Sequence, residues 1–310
     1  MPKLSICIPA YNYGNYLSEA IDSCLDQDAD FSLIVLDNAS SDNTPELRDQ
    51  YIHDSRVEWY RNDNILPVQL NWNKAVSLTN GTWIKLLQAD DRMVPGSIAK
   101  INRLIGLGPS ISFIGHLSEV IDSSGKILRK HMPYSRLLRE IYLSPGEGPP
   151  LMLRNIARLR EPTSNLYTKD AWSKVGGYSD EFRFTFDISF NYSLMRGFGG
   201  LLVSEYLTQI RRHKSSDGAK LPPETAIDDL RGLIDKISSD LPYSDKVNGQ
   251  SLVQYRIIEL FLQRFSDNPK AAVKFLVRNC HEFSELDSLP ACFGTLIRRS
   301  LTGDVQQLIK

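Results

Sequence analysis

Along its N-terminal third the chain alternates short apolar runs with longer amphipathic ones. Leu4-Ser5-Ile6-Cys7-Ile8 reads as a strand closed by Pro9. Leu17, Ala20, Ile21, Cys24 and Leu25 then recur at i, i+3, i+4, i+7 and i+8, one face of a helix. Phe31 to Leu36 is a nearly continuous apolar run, the mark of a strand covered on both faces, and Asp37 ends it. Asn43-Thr44-Pro45-Glu46 offers a cap with proline at the first helical position. Val57-Glu58-Trp59-Tyr60 is a strand, Val68, Trp72, Ala75 and Val76 mark a helix stopped by Asn80-Gly81, and Trp83 to Leu87 is the next strand. This β-α-β-α-β-α-β order predicts an α/β fold with a mostly parallel sheet flanked by helices. Ligands of such sheets bind outside the carboxyl ends of the strands. Pro9 to Asn12, Asp37 and the pair Asp90-Asp91 all fall at those ends, so three strands point polar groups at one crevice.

Further along, a helix is expected near Gly96 to Leu107, then a strand–turn–strand from Ser112 to Lys130 around Ser123-Ser124-Gly125. Residues 131 to 162 are rich in Pro, Gly and Arg and read as a long irregular segment. Asn165 to Tyr178 returns to order, Asp187 to Arg196 reads as helix, and Gly199 to Ile210 contains a strand. Beyond Arg211 the pattern turns helical, with Ile227, Leu230, Leu233, Ile234 and Ile237, then Ile257, Ile258, Leu260, Phe261 and Phe265. The division expected is a domain over residues 1–215 and a C-terminal helical appendage over 216–310, whose apolar faces could serve a homodimer.

Composition changes this picture little. The chain of 310 residues is 42% hydrophobic and 24% charged, ordinary for a globular protein with one or two domains. A net charge of −1 supplies no field to recruit nucleic acid. Cys7, Cys24, Cys280 and Cys292 lack metal-ligand spacing and fit a reducing compartment. With no secretory leader and no apolar run of about 18 residues, the expected location is cytoplasmic. Lys126 to Arg139 carries five Lys or Arg and no acid, which suits either a solvated hairpin or peripheral contact with a membrane surface. Trp59, Trp83 and Trp172 sit where core packing uses them.

The chemistry concentrates in Leu86-Leu87-Gln88-Ala89-Asp90-Asp91. Two carboxylates at the mouth of a core fit a helix cap, because Pro95 to Ser97 begins a helix, and they equally fit a divalent cation. Mg2+ and Mn2+ take oxygen ligands and are often held by one or two carboxylates plus substrate phosphates. Pro9-Ala10-Tyr11-Asn12, Leu36-Asp37-Asn38-Ala39-Ser40-Ser41-Asp42, Asn71-Trp72-Asn73-Lys74-Ala75, the acidic pair, and Val175-Gly176-Gly177-Tyr178 to Phe182 follow one another in a set order. That series resembles the motifs of inverting family 2 glycosyltransferases over roughly residues 3 to 215.

The resemblance implies a GT-A fold and a sugar transfer from a nucleoside diphosphate, UDP favoured, to a saccharide or lipid-linked saccharide acceptor in bacterial surface-polysaccharide assembly. It implies a nucleotide-sugar site at Pro9, Ala10, Tyr11, Asn12, Asp37, Asn38, Asn73, Lys74 and Asp90, with Asp37 on the base and Asp90 near the ribose. Asp91 would ligate Mn2+ or Mg2+. Arg211 to Ser216 resembles a flexible loop that folds over the diphosphate, with His213 as a further ligand. The general base would be Asp187; the acidic pair common at that position is Phe186-Asp187 here, and Asp187 also fits a helix cap. Gln88 and Ala89 depart from the acidic or small polar residues that relatives carry. Two other readings stand beside this one. A dinucleotide dehydrogenase would need a glycine-rich first turn, and Pro9 to Asn15 has one glycine. A catalytically inactive binding or scaffold subunit would keep the fold and lose the function of Asp187.

Overall fold

The computed structural model describes residues 3–107, 111–130, 140–149, 162–213 and 222–239. The chain falls into two compact units, Met1–Lys220 and Leu221–Lys310. In the first, β1 (Leu4–Ala10), β2 (Ser32–Asp37), β3 (Val57–Arg61) and β4 (Trp83–Leu86) alternate with α1 (Gly14–Leu25), a short turn of helix Pro45–Leu47 running into α2 (Arg48–Tyr51), and α3 (Val68–Ser77). There follow β5 (Arg92–Met93), α4 (Ser97–Ile105), β6 (Phe113–Ile121), β7 (Ile127–Lys130), β8 (Glu140–Leu143), β9 (Asn165–Thr168), α5 (Lys169–Lys174), α6 (Phe186–Gly197) and β10 (Gly200–Arg211). In the second unit α7 (Pro223–Ser239) is described; the helix expected around Ile257 to Phe265 lies outside the described residues.

Every residue of β1 is buried, because helices cover both of its faces. Leu4, Ile6, Ile8 and Ala10 alternate into one face and meet Leu17, Ala20, Ile21 and Cys24 of α1 and Ile98, Ile101 and Leu104 of α4. On that face the strand period of two meets the helix period of 3.6. α3 packs on β1 and β2. Each such buried Leu or Ile side chain stabilises by about 1.5 to 3 kcal/mol relative to exposure. Cys7 and Cys24 belong to this core, and burial pushes both thiols up to about 12, so they stay protonated and inert.

The sheet order is β3-β2-β1-β4-β9-β6-β10-β5, with β7 added to β6 and β8 to β10. The first four strands are parallel, as the pattern predicts. The later half mixes directions: β9 runs antiparallel to β4 and β6, and β10 is parallel to β6 but antiparallel to β5 and β8. Antiparallel neighbours need no crossover helix, so the alternating pattern that betrays the first half is missing from the second. The segment expected to be irregular contains β8, while its residues 131–139 and 150–161 lie outside the described residues.

Two registers place chemistry. β1 on β2 sets Ala10 opposite Asp37, and β2 on β3 sets Asp37 opposite Arg61. β10 beside β6 brings Arg211 level with Ile121, at the same end of the sheet as the acidic pair.

Candidate active site

The loops after β1 and β2 are joined by a ladder of polar contacts. Asn38 N donates to Ala10 O (2.8 Å), Asn12 N to Ser40 Oγ (2.9 Å) and Ser41 N to Asn12 Oδ1 (2.8 Å). Asn12 and Ala39 both take a left-handed φ of 56°, a conformation that asparagine tolerates better than alanine. Gly14 N, at the start of α1, donates to Asp42 Oδ2 (2.9 Å), and a Cβ on Gly14 would lie 2.0 Å from Asn43 Oδ1. Burial raises the Asp42 carboxyl, but hydrogen bonds from Thr44 and Gly14 together outweigh it and hold the group below its usual range.

Asp37 is fully buried, with Oδ1 accepting from Ser40 N (2.9 Å) and Oδ2 paired with Arg61 Nη1. Arg61 is 45% exposed in its side chain and also donates to Ser40 O (3.0 Å), so it forms the open edge of this pocket. Tyr11 stands 40% exposed at the end of β1, a ring available for stacking. Pro9 and Ala10 are buried and contribute backbone alone. Asn38 is buried as well; its amide spans Leu66 N and O (2.9 Å each), which fixes the loop into α3.

Asp90 and Asp91 occupy the turn after β4, and the structure treats them differently. Asp91 is 1% exposed and faces inward: Oδ1 accepts from Arg211 N (2.8 Å) and Oδ2 from Thr163 Oγ1 (2.6 Å). Burial, and then the neighbouring Asp90 charge, push its carboxyl well above the usual range. Asp90 Oδ2 lies 3.0 Å from His213 Nε2. The His213 ring is wedged against Tyr13 and Tyr16, with centroids at 6.0 and 5.0 Å. The resemblance puts the metal on Asp91 and the ribose on Asp90, whereas the geometry pairs His213 with Asp90. Arg211, expected in a flexible loop, closes β10 with a wholly buried side chain. Its main-chain N–H joins the sheet end to the acidic pair, while pairing with Ile121 carries the strand through Arg211.

One carboxylate oxygen and one imidazole nitrogen at this separation fit a divalent cation that takes its other ligands from phosphate and water. Among the described residues no group of three or more His, Cys, Asp or Glu forms a cage that would hold a metal without substrate.

On the acceptor side, Asp187 stands half-buried in the first turn of α6, where its Oδ1 accepts from Ile188 N (2.8 Å). The helix cap is Thr185, so Asp187 lies two residues past the cap, at the second helical position. Phe186 is a core residue, edge-on to Trp72 at 5.0 Å. Asn73 does not reach the strand-end loops with its amide: Nδ2 donates to Tyr178 O and Oδ1 accepts from Tyr178 N, both at 2.8 Å. Lys74 is exposed on α3. The structure therefore brings Asp90, Asp91 and His213 together, sets Asp37 beside Tyr11's loop, and uses Asn38 and Asn73 to brace α3.

Arg61, Thr163 and Lys85 escape the sequence reading, which names Arg211 only as the start of a flexible loop. Lys85 was visible as a lysine inside Trp83-Ile84-Lys85-Leu86-Leu87, and its Nζ donates to the main-chain oxygens of Thr163 and Asn165 and contacts His116 Nε2 (2.7 Å). Thr163 and Arg211 carry no local signal, since only the fold brings them to Asp91.

The family model described as glycosyl transferase family 2 matches residues 5–176. A GalNAc(5)-diNAcBac-PP-undecaprenol beta-1,3-glucosyltransferase of Campylobacter jejuni is 30% identical over 146 residues, 44% of this chain and 47% of that protein. Alignments with the first four curated relatives span from 30% to 68% of those proteins' own length. The structure of S. aureus TarS residues 1–349 in complex with UDP-GlcNAc superposes with a TM-score of 0.67 at 14% identity, covering 98% of this chain and 88% of that one. The mannosyltransferase PcManGT of Pyrobaculum calidifontis, in complex with GDP-Man and Mn2+, gives 0.57 at 13% identity, covering 97% and 80%. These likenesses show the GT-A fold. With the family model covering more than half of its length, this chain belongs to glycosyl transferase family 2 and is a glycosyltransferase.

Proposed function

We propose that the protein transfers one sugar from a nucleoside diphosphate, UDP favoured, to a hydroxyl of a saccharide or lipid-linked saccharide, with inversion at the anomeric carbon. The observation that carries this reading is the Asp90–His213 pair at 3.0 Å, set at the same strand ends as the braced loops that hold Asp37 and Tyr11. Tyr11 offers a stacking face to the base and Arg61 a donor to its edge, with Asp37 buried behind Arg61 and fixing it in place. Asp90 and His213 would hold Mn2+ or Mg2+, which as a Lewis acid neutralises charge developing on the diphosphate. Asp91, with both oxygens engaged, fixes the turn that presents Asp90. Asp187 takes the proton of the acceptor hydroxyl as its oxygen bonds to the anomeric carbon and the diphosphate oxygen departs. TarS residues 1–349 were captured with UDP-GlcNAc and the Campylobacter relative is named for a lipid-linked substrate, which supports the UDP and lipid-linked choices. A site on the cytoplasmic face of a membrane, reached peripherally, suits such an acceptor.

The test is thermal unfolding with UDP, dTDP, GDP and CDP, each with and without Mn2+, for wild type, Asp90→Asn and Asp187→Asn. A shift with one nucleotide that requires Mn2+, persists in Asp187→Asn and is lost in Asp90→Asn is expected; at a ligand concentration of 100 Kd it corresponds to about 2.7 kcal/mol. Asp187→Asn should bind donor normally and lose about a hundredfold or more in turnover. If no nucleotide stabilises the wild type, the transferase site is not functional and a binding or scaffold role takes its place.

A further inference from the structure

Asp90 and His213 come from different elements, the turn after β4 and the residues just past β10, and something must hold them in register. Arg211 touches both sides. Its Nε donates to Asp90 O (2.8 Å), its two Nη1 contacts are the main-chain oxygens of Asp122 and Ser123 (3.1 Å each), and its Nη2 donates to Glu19 Oε2 (2.6 Å). Its own main-chain N–H goes to Asp91 Oδ1 (2.8 Å). The guanidinium lies over the Tyr16 ring at 4.6 Å, and the same ring packs on His213 with centroids 5.0 Å apart. Glu19 Oε2 accepts from a second arginine, Arg92 Nη1 (3.2 Å), whose other donors reach Gln209 Oε1 and Gly125 O (3.0 Å each). The side chain of Arg211 is 0% exposed, so this cation is committed to the interior and is not a phosphate ligand.

We propose that Arg211, anchored by Glu19 and backed by Tyr16, is the positioning residue that sets Asp90 against His213. Only a planar fork can reach a carbonyl, a carboxylate and a hairpin at once while stacking on a ring; an ammonium has neither the plane nor the spread. Groups that orient a metal's ligands in this way govern affinity nearly as strongly as the ligands themselves. The inference rests on the reading that Asp90 and His213 hold the cation.

The experiment uses the full chain as wild type, Arg211→Lys, Tyr16→Leu and Glu19→Gln. It reads two quantities: the imidazole NMR signals of His213 in metal-free protein, assigned by a His213→Gln control, and Mn2+ affinity with UDP present, by electron paramagnetic resonance. Arg211→Lys and Tyr16→Leu should move the His213 signals to those of a freely solvated ring and weaken Mn2+ about tenfold or more, with Glu19→Gln intermediate. Signals and affinity within twofold of wild type in both variants, with only the unfolding temperature lowered, would overturn the proposal. Should Arg211→Lys fail to fold, Glu19→Gln decides, since it loosens the guanidinium and leaves the Tyr16 ring against His213. If the wild type takes up no Mn2+, the metal reading fails, and the positioning role stands or falls on the His213 signals.

Discussion

Within β4 the side chains alternate across the sheet, and Lys85 takes a fully buried place in that alternation. Its three contacts, Thr163 O, Asn165 O and His116 Nε2, match the three directions of an ammonium and tie β4 to β9 and β6. His116 Nδ1 lies 2.9 Å from Leu117 O, which as an acceptor requires the proton on Nδ1 and leaves Nε2 free to accept from Lys85. Thr163 in turn holds Asp91, so the lysine supports the acidic turn from beneath. Lys85→Met should cost about 2 to 4 kcal/mol, because three buried acceptors lose their donor. Burial lowers the Lys85 pKa from 10.5 to about 7. The unfolded chain then binds more protons between these values, so the Lys85 contribution rises as pH climbs from about 7 toward 10.5 and is lost as pH falls through 7. Unfolding free energies of wild type and Lys85→Met from urea titrations should therefore diverge between pH 7 and 9, by up to about 1.4 kcal/mol per pH unit. Parallel pH profiles would refute the shift.

The elements around the site are joined by small polar braces more than by packing alone. α3 meets the segment before α6 through Asn73, which pairs with the backbone of Tyr178 as a neighbouring strand would. The approach requires Gly177: it has φ of +70°, and a Cβ there would stand 2.5 Å from Asn73 Oδ1. Gly177→Ala should destabilise the fold by about 1 to 3 kcal/mol, read as a lowered unfolding midpoint. Gly176→Ala, where φ is +83° but no atom lies within 4 Å, should pay the backbone strain without the collision. Equal losses at the two positions would show that the Asn73 brace is dispensable. The sequence marked both Gly176-Gly177 and Asn73 as parts of motifs, but nothing in it paired the two across more than a hundred residues.

At the scale of the whole molecule, among the described residues every member of one large apolar cluster falls between Leu4 and Leu207, within the first unit. A chain ending at Lys220 should unfold cooperatively and keep the nucleotide response of the full protein. A broad transition without a midpoint, followed by circular dichroism, would show that residues 221–310 are needed for that core. The described α7 shows helical periodicity with Ile227, Leu233 and Ile237 buried, and among the described residues no helix is long and apolar enough to cross a membrane.

The sequence by itself determined the parallel half of the sheet, because apolar strands covered on both faces and amphipathic helices write their periods directly into the chain. It also determined which residues lie at the strand ends, since Asp37, Asp90 and Asp91 each follow such a run. Tertiary structure decided how those residues divide the labour. Which carboxylate meets His213 depends on Arg211 and Thr163, both more than seventy residues from Asp91. A carboxylate's role follows from what fills its lone pairs and how deeply it is buried, and both are set by partners that only the folded chain assembles.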